Sequence, residues 1–197
     1  MSNDGVNEGR RRVLTAMTSA VGAVGVVGAA VPFVGSWSPS AKAKAAGAPV
    51  EVNISKIEPG AMVTVEWRGK PVFIVRRTPE ALANLETMEA LISDPMSEKS
   101  VQPEYTKNKN RAIKDEVLVL LGLCTHLGCA PKFRPDVGAE DLGGSSWLGG
   151  FFCPCHGSKF DLAGRVYKSV PAPLNLEVPP YKYVSDDVII VGEDQEA

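Results

Sequence analysis

Cys153-Pro154-Cys155-His156-Gly157-Ser158 governs how the rest of the chain is read. With Cys124-Thr125-His126-Leu127-Gly128-Cys129 it holds all four cysteines and both histidines of the 197 residues. Each block offers one Cys and one His, in the order C-x-H in the first and C-x-x-H in the second, which supplies two soft anionic sulfurs and two neutral nitrogens to a metal centre. Tetrahedral zinc accepts such a Cys/His set. Zinc would use four donors, however, and leave one cysteine of each block idle: Cys129, which follows His126, and Cys155, which precedes His156. Glycine beside the donors lets backbone amides approach sulfur closely.

The paired blocks resemble those of the Rieske iron–sulfur proteins. That resemblance implies a single [2Fe-2S] cluster, with Cys124 and Cys153 on one iron and His126 and His156 on the other, facing outward. It also implies a disulfide between Cys129 and Cys155 that ties the two ligand loops together, a bond that persists outside the reducing cytoplasm. Formal counting of ferric ions, sulfides and two thiolates gives a neutral oxidised cluster. An electron is therefore easier to add than to a four-thiolate cluster, and the family's potentials lie at about −150 to +300 mV. Ferric iron makes the remote N–H of a bound imidazole more acidic, so the outward histidines couple the electron to a proton. By resemblance to the respiratory members, His156 is the quinol contact and His126 its neighbour at the exposed tip.

The same resemblance places Leu127, Gly157, Ser158, Phe160 and Pro171 around the cluster. The Ser158 hydroxyl is expected to donate to a bridging sulfide, raising the potential, with Gly157 permitting the tight turn before it. Phe160 stands where high-potential members carry a tyrosine whose hydroxyl donates to a cysteine sulfur, so this cluster is expected to have a lower potential than its tyrosine-bearing relatives. Pro171-Ala172-Pro173 and the following Leu174-Asn175-Leu176-Glu177-Val178-Pro179-Pro180-Tyr181 resemble the family's proline loop, a stiff cover over the cluster. Val170 replaces the usual glycine there.

Arg10-Arg11-Arg12 precedes residues 13–37, a run without charge that is long enough, at about 1.5 Å per residue, to cross about 30 Å of hydrocarbon. It reads as one transmembrane helix with the arginines on the cytoplasmic side. The mild Gly/Ala-rich hydrophobicity and twin arginines resemble a Tat signal, imperfect at Val13, as export of a prefolded cluster protein requires. Ala41-Lys42-Ala43 and Ala43-Lys44-Ala45 fit a cleavage site, but the apolar run is longer than a signal core, so a retained anchor is expected. Residues 38–49 read as a flexible hinge. The expected organisation is a cytoplasmic N-terminus (1–12), a transmembrane helix (13–37), the hinge (38–49) and a periplasmic domain (50–197), with the cluster-binding subdomain over about 122–181.

Short β-rich runs at 50–54, 61–67, 72–76, 117–121, 151–153 and 188–191, separated by turn signals, predict a mainly β, antiparallel domain. One helix interrupts them. Thr78 caps it, Pro79 opens it, and Leu82, Leu85, Met88 and Ile92 form its apolar stripe. Residues 130–150 read as a surface excursion, Trp67 and Trp147 as packing residues, and Glu193, Asp194 and Glu196 as a solvated tail. The formal net charge of −2, with no basic patch beyond the anchor flank, excludes nucleic-acid binding.

Anchor, hinge, head, blocks and proline segment occur in the order of the Rieske subunits of bacterial ubiquinol–cytochrome c reductases, the cytochrome bc1 complexes. The resemblance implies an inner-membrane translocase subunit in a dimeric complex. It would accept an electron and a proton from ubiquinol beside cytochrome b and pass the electron to cytochrome c1 by motion of the head. The alternative is the small Rieske subunit of a periplasmic oxidase such as arsenite oxidase.

Overall fold

The computed structural model describes Gly5 and residues 7–195, so Glu196 of the expected tail and residues 1–4 and 6 of the expected N-terminal segment lie outside the described residues. The chain divides into two units, Met1–Ala45 and Ala46–Ala197.

The first unit is helical. Helix α1 spans Glu8–Ser36 and includes the three arginines that the charge pattern places before it. It starts early because Asn7 caps it, accepting the Arg10 amide at 3.0 Å. None of its residues is buried by the chain itself, and it is long and apolar enough to cross a membrane. Its threonine hydroxyls are satisfied locally: those of Thr15 and Thr18 donate to the Arg11 and Leu14 carbonyls, each at 2.8 Å. Part of the expected hinge is ordered as a second helix, α2 (Ala41–Ala46), where the Ser40 hydroxyl accepts the Ala43 amide at 3.1 Å. Alanine and lysine favour helix.

The second unit is built from antiparallel sheets in three groups. The first joins β2 (Met62–Trp67), β3 (Lys70–Arg76) and β4 (Val117–Leu121), and the second joins β1 (Val50–Asn53), β9 (Val188–Val191) and β8 (Tyr181–Ser185). The third holds β5 (Lys132–Arg134), β6 (Gly150–Cys153) and β7 (Ser158–Asp161). Every residue of β4 is buried, which explains a sequence that is apolar throughout instead of alternating. Residues of all three groups share one core with Cys124 and Cys153. Phe73 of β3 stacks on Phe151 of β6 with ring centroids 5.8 Å apart, a pair worth about 0.5–1.5 kcal/mol beyond its buried area.

Helix α3 (Pro79–Thr87) begins as expected, with the Thr78 hydroxyl accepting the Ala81 amide at 3.1 Å. It is shorter than its apolar stripe. A 3-10 turn, Glu89–Leu91, follows, and Leu85, Met88 and Ile92 still reach the interior. Strands β5, β7 and β8 were not expected as strands, and two expectations about the surface are corrected. Residues 130–150 are more than an excursion, since β5 pairs with β6, Leu142 and Trp147 are buried, and Trp147 stacks on Tyr167. Nor are Glu193 and Asp194 a free tail: Glu193 pairs with Lys182 at 2.8 Å and Asp194 accepts from the Tyr105 hydroxyl at 3.3 Å.

Candidate metal centre

The second Cys/His block is the turn of a hairpin. The β6–β7 register pairs Cys153 with Ser158, leaving residues 154–157 as the connection. The Gly157 amide donates to the Cys153 carbonyl at 2.9 Å, and Gly157 has φ of 80°. The first block, at the end of β4, closes in the same way: the Gly128 amide donates to the Cys124 carbonyl at 2.9 Å, with φ of 79° at Gly128. Both turns therefore put a glycine four residues after the cysteine, in the left-handed region that favours it. The Cys124 amide also donates to the Cys129 carbonyl at 2.8 Å.

These turns bring all six Cys and His residues together. Cys129 and Cys155 form a disulfide with their Cα atoms 6.7 Å apart. Cys124 and Cys153 are free thiols, buried to 3% and 2% exposure. The rings of His126 and His156 meet edge to face, centroids 4.7 Å apart. His156 is exposed and His126 half-buried. Cys153 Sγ lies within 4.8 Å of both disulfide sulfurs, but those are bonded to each other and have no thiolate to offer a metal.

Burial pushes the Cys124 thiol above its ordinary value; the His126 amide pulls it back, the adjacent Cys153 adds to the rise, and the Ser158 hydroxyl favours the thiolate. Such a thiol ionises when a metal cation takes the proton's place. Nδ1 of His126 is buried with no hydrogen-bond partner, an arrangement that costs about 1–3 kcal/mol when a polar group is left unmade and that a metal ligand resolves. The donors present thus fit an iron–sulfur cluster bound through Cys124, Cys153, His126 and His156.

The surrounding residues take distinct places. Ser158 is buried, with its Oγ accepting the Ala172 amide at 3.1 Å. Phe160 is fully buried opposite Phe151. Pro171 is exposed on the cover, and Leu127 is 72% exposed, at the surface between the histidine and the glycine of its turn. Val170 needs no glycine-like backbone because Ser169 before it carries the positive φ of 58°.

Sequence reasoning passed over the residues that hold this site in place. The Thr125 hydroxyl donates to the Leu174 carbonyl at 2.6 Å, fastening the first turn to the proline segment. Three buried arginines donate to carbonyls distant in sequence: Arg77 to Leu162 at 3.1 Å, Arg111 to Leu176 at 2.7 Å, and Arg165 to Leu85 at 2.8 Å. Arg165 also binds the buried carboxylate of Asp161 at 2.7 Å. Burial lowers Arg77 and Arg111 to about 10, with Asp161 the leading opposing influence on each. The available signal was faint: Arg77 and Arg111 stand in polar sequence that gives no hint of burial.

Comparison with known proteins gives two family matches. Residues 49–181 match the Rieske [2Fe-2S] domain, and residues 1–40 match a family described as "Ubiquitinol-cytochrome C reductase Fe-S subunit TAT signal". The ubiquinol-cytochrome c reductase iron-sulfur subunit of Allochromatium vinosum is 60% identical, over 99% of this chain and 94% of the relative. Its counterpart from Blastochloris viridis is 44% identical, over 97% of each. A solved structure titled "Hyperthermophilic respiratory Complex III" aligns at 28% identity and a TM-score of 0.49, covering 89% of this chain and 98% of that one.

Proposed function

The chain belongs to the Rieske [2Fe-2S] family, among the iron–sulfur subunits of ubiquinol–cytochrome c reductase, and we propose that in such a complex it takes an electron and a proton from ubiquinol at His156. The observation that carries this reading is the pair of imidazoles in edge-to-face contact, one half-buried and one exposed, on the same two turns that carry two buried free thiols. Cys124, Cys153, His126 and His156 hold the cluster, which when bound supplies a one-electron acceptor at the potential range of His-ligated centres.

The chain's own residues do the rest. The exposed ring nitrogen of His156 accepts a hydrogen bond from the quinol hydroxyl and then its proton. Leu127 and Pro171, both exposed, offer an apolar rim that excludes water from this contact when the head docks on cytochrome b. The Cys129–Cys155 disulfide keeps the two turns at a fixed separation. Gly157 and Ser158 shape the second turn, and Phe160 fills the space beneath it without offering a donor.

Helix α1 anchors the chain in the bacterial inner membrane, with residues 13–37 spanning it, residues 1–12 on the cytoplasmic side and residues 50–197 in the periplasm after Tat export; residues of about 122–181 form the cluster-binding part. Residues 38–49 are the hinge. Helix α2, six residues long, is far below the length at which an isolated helix is stable in water. Its melting lengthens the connection and lets the head carry the electron to cytochrome c1 in a dimeric complex that acts as a translocase. The family matches favour this reading over a relay subunit of an arsenite-type oxidase.

The test is to solubilise membranes and ask what travels with this chain. Co-migration with b- and c-type haems, with a rhombic EPR signal on reduction, is expected; absence of b haem would overturn the assignment. Prolines placed across residues 43–47 should slow turnover while leaving the EPR signal intact, and unchanged turnover would remove the hinge from the mechanism.

A further inference from the structure

Between Pro171 and Pro173 the backbone has one N–H, that of Ala172, since proline has none. That amide donates to Ser158 Oγ at 3.1 Å. A serine hydroxyl has one donor and two acceptor positions. With an acceptor position taken by Ala172, the single O–H remains for a partner other than that amide, and Ser158 is the register partner of Cys153 on the adjacent strand. Pro171 has its own φ fixed near −65° and Pro173 confines Ala172 to extended backbone, which narrows the directions open to that amide.

The amide can stay there only if the cover is held at the right height, and the main tie is Asn175. It is 1% exposed and uses its whole side chain. Its Oδ1 accepts the Val166 amide at 2.8 Å, while its Nδ2 donates to the Asp94 carbonyl at 2.9 Å and to Ser97 Oγ at 2.8 Å. Its own amide donates to Ser100 Oγ at 3.1 Å. Asp94 locks that partner segment in turn, accepting the Glu98 amide at 2.8 Å, the Lys99 amide at 3.1 Å and the Ser100 hydroxyl at 2.8 Å.

We propose that Asn175 is a positioning residue for the cluster: by tying the proline segment to residues 94–100 it holds the Ala172 amide on Ser158 and thereby aims the Ser158 hydroxyl at the sulfur side of the site. The inference rests on the site being a Rieske centre. Ala172 and Ser158 form the relay, and Asn175 acts from outside it, touching neither the ligands nor quinol.

The experiment is a redox titration, followed by EPR, of the purified complex carrying Asn175→Ala, Ser158→Ala or both. Asn175→Ala should keep the rhombic signal and lower the reduction equilibrium constant by up to about tenfold, which is about 59 mV for a one-electron couple. Ser158→Ala should lower it at least as much, and the double variant should match Ser158→Ala alone. A purely structural asparagine would shift the potential equally in both backgrounds, and that result, or no shift at all, would overturn the proposal. Where Asn175→Ala does not assemble, Ser97→Ala removes one acceptor of Nδ2 and should give a smaller shift that vanishes in the Ser158→Ala background. A wild-type complex without the rhombic signal would instead remove the Rieske reading itself.

Discussion

Set side by side, the 124–129 and 153–158 turns close through the same glycine hydrogen bond and are supported quite differently. The second is clamped from within the sheet: its two ends are partners in the β6–β7 register, and Ser158 and Phe160 continue directly into a buried strand. The first projects from the end of β4 and is tied down from outside, by the Thr125 hydroxyl on Leu174 and by the disulfide to Cys155. One turn is thus part of the scaffold and the other is fastened to it. The histidines record the difference: His156 stands exposed on the rigid turn, while His126 is half-buried with Nδ1 unpartnered.

The largest effect tests whether the turns are equal as ligand carriers. Cys124→Ser and Cys153→Ser should each abolish iron and sulfide incorporation, measured by metal analysis and EPR of reduced membranes; a centre surviving in only one variant would break the equivalence. Next comes the fastening. Cys129→Ser should lower unfolding stability by about 2–4 kcal/mol, and amide exchange should rise more across residues 125–129 than across 154–157. Equal rises would mean that the second turn depends on the disulfide as much as the first.

Smaller effects separate tuning from holding. Phe160→Tyr should raise the midpoint potential by adding a donor beneath the scaffold turn, whereas Thr125→Ala should leave the potential nearly unchanged and cost about 0.5–1.5 kcal/mol of stability. A potential that moves with Thr125 and not with residue 160 would reverse the division. The smallest effect is on pH dependence. Burial pushes the Asp94 carboxyl up, but the Ser100 hydroxyl and the Glu98 and Lys99 amides outweigh burial and hold it below its ordinary value. A depressed acid contributes stability above its unfolded value, near 3.9, and loses it as pH falls through the lower folded value. Acidification below about pH 4 should therefore cost wild type more stability than Asp94→Asn, and parallel losses would show that this carboxylate is not the group titrating.

The grouping of the Cys/His blocks and most of the sheet strands were legible because their signals are local. Cysteine and histidine are scarce in this chain and concentrated in two short blocks, and runs such as that of β4 are apolar enough to stand out. Strand β7 was hidden because Ser158-Lys159-Phe160-Asp161 is too short and mixed to announce a strand; its pairing with β6 defines it. The helical part of the hinge was overlooked because the Ala/Lys/Gly composition of residues 41–48 suits a flexible linker as readily as a capped helical turn. The buried arginines and Asn175 were illegible for another reason: each is held by carbonyls far away in sequence, as Arg111 is by Leu176 and Asn175 by Asp94.

The sequence by itself determined the two Cys/His blocks, the likeness to Rieske proteins and the apolar segment before the domain, because residue identity and spacing carry that chemistry directly. Only the tertiary structure decided which histidine is exposed, that Ser169 rather than Val170 takes the strained backbone, and that the Ala172 amide rests on Ser158. Those outcomes depend on where long-range hydrogen bonds place the backbone, and no local pattern encodes a partner eighty residues away such as Asp94 for Asn175, at a separation of 81.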